Sequence, residues 1–281
     1  MPKLSIGWLL CLSTVLVSTA SVAAIAADLN LEIRGARTAG ALLIGKTAVG
    51  NRVFLADQEL PVTHSGHVVF GFGREARGPQ HLRVMASTGE QATVVIELVP
   101  RDYKIDRVNG VPQETVTPNP EQVARARREA QLVAAARNES STRVDFLQPL
   151  IKPAKGRISG VYGSQRIFNG EPRTPHYGLD IAAPTGTPVQ APWPGRVVLA
   201  EANLFYSGGT LILDHGYGVT SSYIHLHKLH VQVGDVVEQG QVVAQIGATG
   251  RATGPHLDWR LNWGQERLDP ALALEHFSSV D

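Results

Sequence analysis

The 281-residue sequence holds one cysteine, Cys11, inside the N-terminal apolar run "LSIGWLLCLSTVLVSTASVAAIAA". With no second thiol in the chain, internal disulfides and cysteine-rich metal sites are excluded. Charge is scarce too: charged residues make up 18% of the chain, 26 Lys and Arg against 25 Asp and Glu. Such a balance gives neither the basic footprint of a nucleic-acid binder nor a polybasic membrane patch. Long hydrophobic runs are missing except at the start, where "MPK" precedes the apolar stretch and small residues lead to Asp28. That layout predicts a secretory signal peptide over residues 1–27, cleaved after Ala26 or Ala27. Its removal takes away Cys11 and Lys3, leaving an exported, thiol-free chain of balanced charge with no membrane anchor.

What is present is apolar patterning. Hydrophobic residues make up 43% of the chain, enough for one large or two modest cores. Over residues 28–112, short apolar runs such as "LEIRG", "ALLIG", "RVFLA", "HVVFGFG" and "ATVVIELV" alternate with Gly, Pro, Asn and Thr. This predicts a small antiparallel β-sandwich domain, with His64 and His67 as solvated turn residues beside Gly66. Residues 113–146 change character, and two prolines lead into an Ala, Arg, Glu and Gln run. They predict a linker carrying one exposed or half-exposed helix over Glu121–Arg137, whose arginines form a solvated face. Residues 147–281 return to short strands between glycines and prolines and carry most of the histidines. The predicted fold class is all-β, two β domains and a linker helix, with the chemistry in the C-terminal part.

Three segments there offer metal-ligating side chains. In "TPHYGLDIAA", His176 and Asp180 lie four apart, but Pro175 and Gly178 favour a loop entering a strand over a helix. The pair reads either as N and O metal ligands or as a simple His–Asp hydrogen bond. In "SSYIHLHKLH", period-two alternation puts Tyr223, His225 and His227 on one strand face. In "GPHLDWRL", His256 and Asp258 share a face, with Leu257 and Trp259 on the other. Three separated segments converging on one cleft favour a metal site over three unrelated hydrogen bonds.

The order of HxxxD, "PTGTPVQAPWPGRVV", "DHGYG", "SYIHL", "VQVGDVVEQGQVVAQIGATG" and "TGPHL", closed by "LDP" at Leu268–Pro270, resembles the lysostaphin-type (LytM-like) zinc peptidases, over roughly Gly156 to Pro270. The resemblance implies that residues 147–281 form a β-sandwich of hairpins, the duplicated hybrid motif. It implies zinc held by His176 and Asp180, with His225 and His256 as the catalytic histidines. It also implies hydrolysis of peptidoglycan stem peptides or cross-links through a metal-activated water, in the periplasm, with a regulatory cell-envelope protein as a further partner.

One position departs from the pattern. Two residues after His256 the family has a histidine, whereas this chain has Asp258. Aspartate ligates zinc through oxygen at about 2.0–2.2 Å, so a His, Asp, Asp set is chemically competent, though more anionic and harder. Three readings stand open: Asp258 ligates metal in a working enzyme; it marks an inactive relative that binds peptidoglycan or activates another hydrolase; or it turns away and His227 replaces it. Tyr223 and Arg260 are candidate rim contacts for a peptide. A biotinyl or lipoyl carrier is disfavoured because no lysine lies between Asp235 and Gly250.

Overall fold

The computed structural model describes residues 29–108 and 119–279; the predicted signal peptide lies outside these. The N-terminal part is a two-layer β sandwich. One layer is a three-stranded sheet in the order β1 (Glu32–Arg34), β2 (Leu42–Lys46), β5 (His67–Gly71). The other has four strands, ordered β4 (Gln58–Leu60), β3 (Arg52–Leu55), β6 (Pro79–Met85), β7 (Gln91–Glu97). Leu43, Val53, Leu60, Phe70, Leu82, Val84 and Ile96 fill the space between them.

Strands β2 and β5 of the three-stranded sheet are buried on their other face as well. Leu42, Ile44 and Val69 join the core of the C-terminal part, together with Leu268, Ala273 and Phe277. The unbroken apolar run of "ALLI" answers this double burial, since a strand covered on both faces loses the alternation of a half-exposed one. Polar contacts seal the junction: Arg101 Nη2 lies 2.5 Å from Asp269 Oδ2, Arg74 Nε donates to Gly163 O, and Tyr162 Oη donates to Arg267 O. Asp269 also caps helix α2 (Pro270–Phe277), accepting from Ala271 N, which explains the Asp-Pro pair as N-cap and first helical residue.

β8 (Ile105–Val108) leaves the sandwich and pairs in parallel with β10 (Gln165–Phe168), itself paired to β11 (Glu171–Pro172). Helix α1 (Pro120–Asn138) follows, capped by Asn119 and Gln122 in a reciprocal box. It is not a free linker helix: Val133 and Ala136 pack on Val198, Leu199 and Ile212 of the C-terminal sheet. Its arginines are accordingly not all solvated. Arg125 pairs with Glu129, and Arg137 is 6% exposed.

The C-terminal part is one ten-stranded network. Its path runs β17 (Val236–Val237), β14 (Gly195–Leu204), β15 (Gly208–Gly216), β16 (Val219–Leu229), β19 (His256–Trp263), β12 (Leu179–Ala182), β9 (Arg157–Gly160). β13 (Pro188–Gln190) and β18 (Val242–Ile246) form a hairpin hung on β16, and β20 (Glu266–Leu268) extends β19. Leu211, Leu213, Tyr223, Leu257, Trp259 and Leu261 point to one side, where Val189, Trp193, Val243 and Ile246 meet them. The all-β hairpin architecture agrees with the sequence expectation. The opposite face of β15, β16 and β19 carries the site.

Candidate metal centre

β12 and β19 run antiparallel in a register that sets Asp180 opposite Asp258 and Ala182 opposite His256. Like charges directly across a ladder repel, and with one guanidinium, that of Arg260, beside the two carboxylates the pair keeps a net negative charge that suits a further cation. His176 enters from the preceding loop, held by hydrogen bonds with residues 163 and 164: its N–H donates to Ser164 O and its carbonyl accepts from Gly163 N. One ligand atom each of His176, Asp180 and Asp258 falls within 4.8 Å of the others. His176 Nε2 lies 3.1 Å from Asp180 Oδ1, yet the angles miss a hydrogen bond and both atoms are buried without a partner. An imidazole nitrogen and a carboxylate oxygen facing common space are a donor set that a divalent cation takes up, displacing any proton the nitrogen holds. The residues present therefore fit a divalent metal.

Small residues make the room. A Cβ on Gly178 would collide with Asp258 Oδ1, and one on Gly160 with Asp180 Oδ2, so both glycines serve close approach. The Gly178 of the HxxxD motif, read from sequence only as a helix breaker, thus has a packing role.

Asp258 is 2% exposed, and its fixed partner is Arg260: Nε donates to Oδ1 at 3.0 Å and Nη2 to Oδ2 at 2.6 Å. Burial pushes the Asp258 pKa up, but the Arg260 guanidinium outweighs it and the net shift is downward. Burial likewise lowers Arg260, and Asp258 more than restores it, so both groups stay charged. Arg260, a candidate rim contact in the sequence, is engaged with Asp258 and offsets the charge of the extra carboxylate. A carboxylate has about four lone-pair sites, so the bidentate arginine leaves room for a metal bond. Burial pulls His176 down as well, and the nearby Asp180 and Asp258 carboxylates more than reverse that, leaving it raised.

His225 and His256 stand side by side, ring centroids 4.8 Å apart. His225 Nδ1 is 2.8 Å from Thr249 O and His256 Nδ1 is 2.8 Å from Gly254 O. A carbonyl only accepts, so each Nδ1 carries a proton, and in the neutral tautomer this fixes Nε2 as the basic nitrogen. Burial is the largest influence on His225 and lowers its pKa, which favours that neutral form.

The period-two reading of β16 fails at His225. Tyr223 is fully buried on the core face, its hydroxyl bonded to Ser221 Oγ, so it is no rim contact. Strict alternation would send His225 there too. Instead His225 has φ +66°, and the register with β18 shifts just beyond it, between Leu226 and Lys228. A left-handed residue beside a bulge re-aims its side chain, here to meet His256. His227 is exposed and outside the ligand cluster, which removes it as a substitute for Asp258. His215 is buried in the core, whereas His230 and His276 are exposed.

Comparison with known proteins agrees with this picture. The model of peptidase family M23 matches residues 174–270, which includes every side chain of the centre. A solved chain assigned to peptidase M23 from Pseudomonas aeruginosa is 30% identical, with a TM-score of 0.62, covering 88% of this chain and 96% of its own. The chain belongs to peptidase family M23. Peptidoglycan DD-endopeptidase ShyA of Vibrio cholerae is 39% identical over 109 residues, 38% of this chain and 25% of its own. Lysostaphin of Staphylococcus simulans is 40% identical over 86 residues, 30% of this chain and 17% of its own. The matches thus span a quarter or less of these two relatives.

Proposed function

We propose that the chain is an exported zinc metallo-endopeptidase that hydrolyses peptide cross-links of peptidoglycan. The carrying observation is the Asp180–Asp258 pair beside His176, three ligand atoms within 4.8 Å and close to two histidines with free Nε2. His176, Asp180 and Asp258 would hold the zinc ion, which when bound would supply Lewis acidity toward the scissile carbonyl and lower the pKa of a nearby water. Between them, His225 and His256 take the proton from that water and pass one to the leaving amine, or hold the developing oxyanion. Arg260 restores the formal charge: two carboxylates plus one guanidinium equal the single carboxylate of the usual His, His, Asp pattern, and so offset the weaker acidification expected of a second carboxylate. The substrate class rests on relatives described as peptidoglycan endopeptidases at 39–40% identity.

In this reading residues 1–27 are the signal peptide, 28–112 a scaffold domain, 113–146 the linker and 147–281 the peptidase unit acting in the periplasm. The other reading, a non-catalytic peptidoglycan-binding or hydrolase-activating relative, draws on one observation, that Arg260 engages both oxygens of Asp258. Metal analysis of the purified chain, together with digestion of isolated sacculi, decides between them. One equivalent of zinc and soluble peptide-bearing fragments are expected; no metal and no fragments would overturn the enzyme reading.

A further inference from the structure

Between α1 and the site-bearing face of the sheet lies a cavity of about 200 Å³, lined in part by Arg137, Ser222, Arg260, Arg267, Ile212 and Ile224. It adjoins the candidate metal centre, because Arg260 spans from the cavity wall to Asp258. Two buried polar atoms of its lining are unsatisfied. Arg137 is 6% exposed and Ser222 5% exposed, and Arg137 Nε and Ser222 Oγ have no hydrogen-bond partner. Among the described residues no carboxylate lies within ion-pair distance of Arg137 or Arg267. Burial lowers the Arg267 pKa to about 10, and a ring contact with Tyr177 at 5.9 Å is its side chain's nearest compensation.

The one acid in the lining, Glu129, is already engaged by Arg125 Nε and Phe205 N. Arg137 does sit in the last turn of α1, where the helix dipole favours a cation. That accounts for an arginine at the surface, not for one buried with an idle donor, which costs free energy. Three guanidiniums, one neutralised by Asp258, and an unused hydroxyl over an aliphatic floor are complementary to an anion on a short apolar group.

We propose that this cavity is a specificity subsite for a free carboxylate of the peptide substrate, held by Arg137, Arg267 and Ser222, with its aliphatic carbons on Ile212 and Ile224. The inference rests on the peptidase reading, for it takes the occupant to be part of the molecule being cut. The test is binding of N-acetylalanine, in both enantiomers, against the matching primary amide. It is followed by amide chemical shifts on the full chain treated with chelator, so that no metal competes for the acid. One enantiomer of the acid should bind about tenfold tighter than its amide, and Arg137→Met and Arg267→Met should each erase most of that preference while melting as cooperatively as the parent. Equal binding of acid and amide, a preference unchanged in both variants, or tighter binding of inorganic phosphate than of the acid would overturn it. Because the readout is binding without metal, an inactive protein would not be confused with a failed subsite.

Discussion

The two faces of β15, β16 and β19 are both buried and both carry polar side chains, yet they treat them oppositely. On the core face, His215 Nδ1–H donates to Pro194 O, Ser221 Oγ donates to His215 Nε2 and Tyr223 Oη donates to Ser221. That chain is complete, and Trp259 Nε1 is the exception on its side. On the site-bearing face, Thr220 Oγ1, Ser222 Oγ and Asn262 Oδ1 lack partners, and the Arg137 Nε of the covering helix does too. Buried polar atoms in a structural core are satisfied. A cluster that is not, next to a set of metal-ligating side chains, marks where the fold keeps capacity for something it does not itself contain.

Substitutions can break or sharpen that contrast. The largest effect is expected from Asp258→Ala, with zinc content and sacculus hydrolysis falling together by about a hundredfold or more, because the ligand goes and Arg260 is left unpaired. Asp258→His should bind zinc less well than the double variant Asp258→His with Arg260→Gln, since the guanidinium has no carboxylate to meet; equal metal content in the two would show that Arg260 does not act as the counter-charge.

Neighbouring serines give the cleanest comparison. Ser221→Ala breaks the His215 and Tyr223 chain and should cost about 1–3 kcal/mol in urea unfolding. Ser222→Ala, one residue along on the other face, removes an unpartnered hydroxyl and should cost less than about 0.5 kcal/mol. Similar losses in the two would erase the distinction between the faces.

The pH dependence of folding isolates the core face further. Burial is the dominant influence on His215 and lowers its pKa, so the unfolded chain binds this proton more readily than the folded one. Stability from this group is whole above about pH 6.5, the ordinary histidine value, and is lost as pH falls from there towards the lower folded value. A His215→Asn variant should therefore show a shallower decline of melting temperature between about pH 7 and 5 than the parent.

Much of this was legible beforehand. Period-two runs gave the strands, and the resemblance to the lysostaphin-type peptidases pointed to His176 and Asp180 as ligands, with Asp258 left open; in the structure the three lie together. Three features were not. The left-handed backbone at His225 depends on a bulge, which local alternation cannot register. The role of Arg260 depends on a same-face contact at a spacing of two, whose partner is a departure from the family pattern. The docking of α1 rests on a few residues, Val133 and Ala136 among them, in a run that otherwise reads as polar, so its tertiary contact outweighs its composition.

Strands β2 and β5, buried on both faces, join residues 29–108 to the C-terminal part through one shared core. Pulling residues 29–108 away would strip Leu42, Ile44 and Val69 from Leu268 and Phe277 and present a sticky apolar surface on each piece. Thermal melting should show a single transition for the described chain, and a fragment beginning at residue 147 should be prone to aggregate. A swing of the N-terminal sandwich away from the C-terminal part would therefore expose this shared apolar surface.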